Sequence, residues 1–341
     1  MNWITYSIIG ALLSSAWSLS VKQGVNLIYP TDFSSTYTII SLVLICIINS
    51  IRHTSFSLNK SGLIAGIFKG ISAILLTKSF TITPNPGLTI GTFRIQSIFT
   101  AIVAFWVFGS QLSMGNILAM CVVIIGLFVI ATSNSDGDTE FTQPRISTSA
   151  QQTNTGNNKT EKFTTSPNLR HTAKLIPNKP RKKWLVYALL AGLFMSIADI
   201  FTKQAVSQGN PGIYNLLFNI TLASTVLIVV YDRITTGTFK IHNHDQNNLI
   251  DWKDYLIIIW TGIIVTGYTL TTITAINHAP NVGYAKAIDT LGVIITLLGS
   301  HVMFRSKLSK EAVSGILLVL SGILYISFSN NGSLIKVTSS N

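Results

Sequence analysis

Apolar residues along this chain gather into ten runs of about twenty, separated by short polar joints. The runs cover 3–21, 33–51, 62–82, 87–108 and 114–132, then 184–206, 212–231, 255–277, 283–302 and 311–328. A helix needs about 20 mostly apolar residues to cross the hydrocarbon core, and irregular backbone cannot face lipid with its polar groups unpaired. The pattern therefore predicts an all-α integral membrane protein with ten transmembrane helices. Pro and Gly punctuate the joints, as in Pro84-Asn85-Pro86-Gly87, Asn210-Pro211-Gly212 and Pro280-Asn281-Val282-Gly283. Residues 134–183 differ: they are rich in Ser, Thr, Asn, Gln and Pro and carry no sustained apolar period, which reads as a polar disordered linker. The expected organisation is a five-helix unit over 1–133, the linker over 134–183, a second five-helix unit over 184–330 and a short tail over 331–341.

The two units read as copies of each other. A shift of 181 sets Ser15, Lys22, Gln23 and Val25 on Ser196, Lys203, Gln204 and Val206. A shift of 196 sets the Pro-Asn-Pro-Gly joint on Pro-Asn-Val-Gly, and continues through Thr100/Thr296, Phe108/Phe304, Leu112/Leu308, Ser113/Ser309 and Gly126/Gly322. Five spans is an odd number, so the second copy must enter the membrane from the opposite side. Such inverted repeats belong to secondary transporters, whose solute site lies at the repeat interface near the bilayer midplane. The first run has this later counterpart and no basic segment before it, so it is expected to be a retained helix rather than a cleaved leader.

Composition narrows the class. Apolar residues make up 48% of the chain and charged residues 11%, against roughly 25% charged in an ordinary soluble domain. Thirteen of the 36 charged side chains fall within 134–183, leaving too few elsewhere to wet a globular surface. Cys46 and Cys121 both sit in apolar runs and are expected to be buried thiols. The net charge of +12 does not point to nucleic acid, because no basic run is interleaved with aromatics and the densest cluster, Lys179 to Lys183, abuts an apolar run. There is no His-Glu-x-x-His, no Gly-x-x-x-x-Gly-Lys-Ser/Thr and no Cys-x-x-Cys, so no metal, cofactor or enzyme chemistry is expected of the chain.

The chain resembles the EamA-like family of the drug/metabolite transporter superfamily across both halves. The resemblance rests on the helix opening each half (Gly10-Ala11-Leu12-Leu13-Ser14-Ser15-Ala16-Trp17 and Ala191-Gly192-Leu193-Phe194-Met195-Ser196-Ile197-Ala198), on the joint ending in Gly87 and in Gly283-Tyr284-Ala285-Lys286-Ala287, and on the close of each half from Phe108 and from Phe304. It implies a carrier of small organic solutes. The family commonly carries Gly-Glu after the fourth helix of a unit; those glutamate positions are Ser110 and Ser306 here, so that carboxylate's role does not transfer.

Ionisable groups inside a bilayer are expensive and mark function. Asp199 and Asp289 are the two acids within the runs and away from their ends; the bases are Lys69, Lys78, Arg94, Lys203 and Lys286. Asp199 and Lys203 stand four residues apart, Lys286 and Asp289 three, so each pair shares a helix face and is expected to pair locally. Lys78, Lys203 and Lys286 lie near helix ends and are expected to snorkel. Trp17 is the repeat partner of Ala198 and supplies an aromatic wall, and Tyr268 belongs to a polar stretch of the eighth helix. The candidate solute or coupling residues are therefore Trp17, Lys69, Arg94, Asp199, Tyr268, Lys286 and Asp289.

The expected function is alternating access by a secondary carrier. Asp199 or Asp289 would hold a coupling proton or a solute ammonium, while Arg94 and Lys69 would meet a carboxylate or phosphate; an amino acid satisfies both sets. Two alternatives stay open: an organic-phosphate or nucleotide-sugar exchanger, and a non-transporting receptor or scaffold. The expected partners are a small-molecule solute and the lipid bilayer, with oligomeric state open. Outside the linker, the side of the membrane that the linker faces carries Lys22, Arg233, Lys240, Lys253, Arg305, Lys307 and Lys310, against Arg52, Lys60 and Lys336 on the other. That excess places the linker in the cytoplasm, of the plasma or inner membrane, with both termini outside. The resemblance implies cytoplasmic termini, and the two expectations oppose each other.

Overall fold

The computed structural model describes residues 2–54, 56–83, 86–110, 112–133, 183–207, 212–236, 252–304 and 309–338. The expected linker, the Pro84-Asn85 and Asn210-Pro211 joints, and Lys240, Arg305, Ser306 and Lys307 lie outside them. The described helices form one compact unit. In chain order they are α1 (Trp3–Leu27), α2 (Pro30–Ile51), α3 (Lys60–Ile82), α4 (Pro86–Phe93), α5 (Gln96–Phe108), α6 (Met114–Ser133), α7 (Lys183–Ser207), α8 (Ile213–Thr236), α9 (Trp252–His278), α10 (Val282–Asp289), α11 (Leu291–Phe304) and α12 (Lys310–Thr338). Eight spans are long and apolar enough to cross a membrane, counting α4–α5 and α10–α11 as one each; α6 and α12 add shorter apolar stretches, Met114–Ile130 and Val313–Ser329. This is an integral, multi-pass, all-α membrane protein.

Local chemistry sets the helix ends. Pro30 opens α2, where its missing N–H costs nothing. The Asn59 side chain caps α3 by accepting from the Gly62 N–H at 2.8 Å, and Asn281 caps α10 by accepting from Gly283 at 2.8 Å. Gly109, at φ 60°, ends α5 in the left-handed conformation that glycine adopts without strain. α12 continues to Thr338, past the expected end at 328, because its Asn-Asn-Gly stretch contains no proline to stop a helix.

Two expected single helices are interrupted at equivalent places. The fourth span breaks between α4 and α5 at Arg94-Ile95, and the ninth breaks between α10 and α11 at Thr290, which is 196 residues after Arg94. The backbone tightens there to three-residue turns: Ser97 N–H to the Arg94 carbonyl at 3.0 Å, and Val293 N–H to the Thr290 carbonyl at 2.9 Å. Apolar periodicity does not reveal such a break, because Arg94 and Gln96, and likewise Asp289 and Thr290, stand inside apolar runs long enough to read as one continuous span each.

The close contacts establish the inversion. Gly62, Gly66 and Gly70 of α3 rest on Leu216, Ile220 and Leu227 of α8 in ascending order, so these helices run parallel. α3 is the third span and α8 the second of its own half; they can be parallel only if the second half starts from the other face. α6 and α12 are antiparallel, as the same inversion demands: Gly126 meets Gly315, and Gly322 meets Ala119. Their backbones touch, since a Cβ on Gly126 would lie 2.7 Å from the Gly315 carbonyl oxygen and one on Gly322 would lie 2.6 Å from that of Ala119. Small residues at such a seam let helices associate in lipid, where no hydrophobic force draws them together.

The repeated Lys-Gln-x-Val end also has a structural use. The Lys22 ammonium donates to the carbonyls of Phe80 (2.9 Å) and Thr83 (3.0 Å) at the end of α3. Lys203 donates to Ile276 (2.9 Å) and Ala279 (3.4 Å) at the end of α9, the equivalent positions 196 residues on. A cation among the last carbonyls of a helix satisfies acceptors that have no partner within it. The expectation that Lys203 pairs with Asp199 or snorkels is thereby corrected. Cys121 is exposed and Cys46 half-buried, not buried as expected, because an apolar run in a membrane helix also supplies its lipid-facing side.

Candidate functional site

The two interrupted spans meet where they break. The Arg94 guanidinium, 1% exposed, donates to Asp289 Oδ2 and, at 2.9 Å, to the Ser14 hydroxyl. Tyr268 of α9 donates to the same Asp289 oxygen at 3.2 Å. Lys286, one turn before Asp289, pairs with Asp199 of α7 at 3.0 Å. The local pairs expected from the spacing are therefore replaced by cross-helix ones: Asp289 takes Arg94 instead of Lys286, and Asp199 takes Lys286 instead of Lys203. Lys286 is 1% exposed and does not snorkel, because the carboxylate that can neutralise it lies in the interior. Counted from their helix starts, Arg94 and Asp289 lie about 10 Å inside opposite faces; the reach of the guanidinium and the shared break close the remaining gap.

Ser15 and Ser196 hold the breaks. Ser15 donates to the Gly292 carbonyl at 2.8 Å, just past the second break, and Ser196 donates to the Gln96 carbonyl at 3.1 Å, just past the first. Each half's opening helix thus clamps the broken span of the other half.

The pairing leaves Lys69 distinct. Its ammonium donates to Thr269 Oγ1 at 2.7 Å, and among the described residues it has no carboxylate partner within ion-pair distance. It is half-buried and lines a central cavity of about 60 Å³. The Trp17 and Tyr268 rings form one wall, stacked 6.4 Å apart at 11°. Arg94 also borders this cavity, while Asp199 borders an adjoining one of about 20 Å³ that Lys69 shares. The seven candidate residues therefore converge. Lys286 and Asp289 sit behind the lining as partners of Asp199 and Arg94.

Sequence reasoning missed Thr38, Ser41, Thr221 and Ser224, which face each other across the same cavity from α2 and α8. They form a Thr-x-x-Ser pattern repeated at a shift of 183, intermediate between the two shifts already noted. His278 stacks on Tyr6 at 6.5 Å, a packing contact rather than a ligand arrangement. Among the described residues no cluster could hold a metal ion.

The cavities widen toward one face. At the ends of α3 and α8 and the start of α2, all on the side where α6 leads into the linker, a vestibule of about 480 Å³ opens. Ile228 borders both it and the central cavity. On the opposite face the space tapers to the 20 Å³ cavity, and the residues before α3 are bound to α8. There Asn215 donates to the Ser57 carbonyl at 3.0 Å, and Asn219 donates to the same carbonyl at 2.8 Å.

An inverted pair of five-helix units around a buried charged centre, open to one face, defines a multi-pass membrane protein of the transporter type. Residues 182–328 match the profile of the EamA-like transporter family. Members of that family carry small solutes across membranes and are not enzymes. A solved crystal structure described only as that of a protein matches with a TM-score of 0.66 over 95% of this chain and 98% of its own. At 11% identity it shows the fold alone. No curated protein matches the chain.

Proposed function

We propose that the chain is a secondary transporter that moves a small organic anion by alternating access, with Lys69 as the group that meets its carboxylate or phosphate. The observation that carries this reading is the charge pairing. Asp199 and Asp289 are each bound to a buried base, whereas Lys69 faces the cavity with a neutral hydroxyl as partner. A cation in a low-dielectric site attracts an anion far more strongly than in water, which offsets part of the cost of taking both charges out of water.

The pairing weighs against a zwitterion. An ammonium would have to displace Arg94 or Lys286 to reach an acid, leaving that base buried and unpaired. This favours an organic acid or organic phosphate over an amino acid, and it assigns the two acids to bracing the repeat interface. A coupling proton at Asp199 would have to exchange with its bond to Lys286, so solute exchange is the simpler cycle. The vestibule opens on the linker side; the excess of basic residues there supports that side as cytoplasmic.

Counterflow in proteoliposomes tests the transport reading. Vesicles preloaded with an extract of small anions should take up labelled anion against its gradient, and control vesicles should not. Equal uptake in both would contradict transport and favour a receptor or scaffold.

A further inference from the structure

The linker-side vestibule contains a second lysine that the transport reading does not use. Lys78 lies nine residues after Lys69 on α3, about 14 Å along the helix axis. Its ammonium stands 5.0 Å from the centroid of the Tyr231 ring. The surrounding chamber, about 480 Å³, is of the size that holds a small organic molecule, and among the described residues no carboxylate lines it.

The polar groups of the chamber divide by what they can still offer. Thr81 and Thr235 give their hydroxyl protons to backbone carbonyls, at 2.8 and 3.0 Å. Ser34 and Thr77 bond each other at 3.1 Å across the floor. The hydroxyls of Thr31 and Tyr231 donate to no group among the described residues. The Lys78 ammonium brings up to three hydrogens, so the uncommitted donors come from all three helices that frame the chamber. A carboxylate has two coplanar oxygens for these donors; the oxygens of a phosphate, three non-bridging in a monoester and two in a diester, are set tetrahedrally about phosphorus and so can meet donors arriving from different helices.

We propose that this vestibule is a phosphate-binding antechamber, with Lys78, Tyr231 and Thr31 holding the phosphate and Tyr29, Pro30 and Ile74 against the organic part of the ligand. Its position at the ends of three membrane helices is the level of lipid headgroups. The phosphate can therefore belong to a soluble solute on its way to Lys69 or to an anionic lipid. The site rests on its own residues and is read without transport, so a chain that moves no solute still reports on it.

The test uses the purified full chain with two probes. Labelled inorganic phosphate is measured by equilibrium dialysis, and phosphatidylglycerol retained through delipidation is measured by native mass spectrometry with phosphatidylcholine as reference. The proteins are the wild type, Lys78→Gln, Lys78→Arg and Lys60→Gln, the last removing an exposed lysine at the other end of α3. Binding of either probe should fall at least tenfold in Lys78→Gln while Lys78→Arg and Lys60→Gln retain it. Loss of phosphate binding assigns the site to a soluble ligand, and loss of the retained lipid assigns it to the membrane. If the wild type binds neither probe, or Lys78→Gln binds both as well as the wild type does, the proposal is wrong.

Discussion

Asp199 bonds to Lys286 at 3.0 Å, across from α7 to α10, although Lys203 lies one turn away on its own helix. The choice follows from burial. Lys203 has carbonyls to cap at the end of α9, whereas Lys286 is enclosed and would otherwise be an unpaired buried charge. Breaking such a pair from one side costs about 3–5 kcal/mol, while replacing both partners by neutral groups costs far less. Asp199→Asn and Lys286→Gln should each lower the unfolding temperature in detergent, and the double variant should recover most of the loss. Additive losses in the double variant would show that the two groups do not act as a pair.

The capping lysines should behave as twins. Lys22→Met and Lys203→Met each leave helix-end carbonyls without a charged donor, a loss of about 1.5–3 kcal/mol per variant. Thermal unfolding should fall by similar amounts in both, with the two effects adding because the sites are at opposite ends of the fold. A loss in one variant alone would break the claimed equivalence.

The pattern of ten apolar runs carried the helices, and the residue shifts carried the inversion, because both are written in local composition. The site was legible only as a set. Charge and depth marked Arg94, Asp199, Asp289 and Lys69, but partner choice depends on where two interrupted spans cross, which no period in the sequence records. Ser15 and Ser196 stood out as repeated residues, yet their use became visible only with the breaks they clamp. Thr38, Ser41, Thr221 and Ser224 escaped because hydroxyls are common in membrane helices, where they bond to their own backbone.

The α6–α12 seam predicts a packing defect. A side chain at Gly126 or Gly322 must enter space already held by the opposing backbone. Gly126→Val and Gly322→Val should each destabilise the protein by about 1–3 kcal/mol, read as a lower unfolding temperature. Wild-type stability in both variants would show that the helices do not approach so closely.

The contacts closing the face opposite the linker should control access. Asn215 and Asn219 tie Ser57 to α8 there, so the double variant Asn215→Ala/Asn219→Ala should favour the state open to that face. A cysteine placed at Thr202, which borders the 20 Å³ cavity, should react several-fold faster with an impermeant thiol reagent applied from that side. Unchanged labelling would show that these bonds do not hold the face shut.

Lys69 is the group proposed to bind the anionic end of the carried solute. The most direct measurement of that role is the rate of anion exchange by reconstituted protein across a range of solute concentrations, for the wild type, Lys69→Arg and Lys69→Gln. Lys69→Arg should keep exchange with an altered KM, and Lys69→Gln should lose at least tenfold in kcat/KM while remaining folded and monodisperse. Exchange by Lys69→Gln at the wild-type kcat/KM would rule out Lys69 as the anion-binding group.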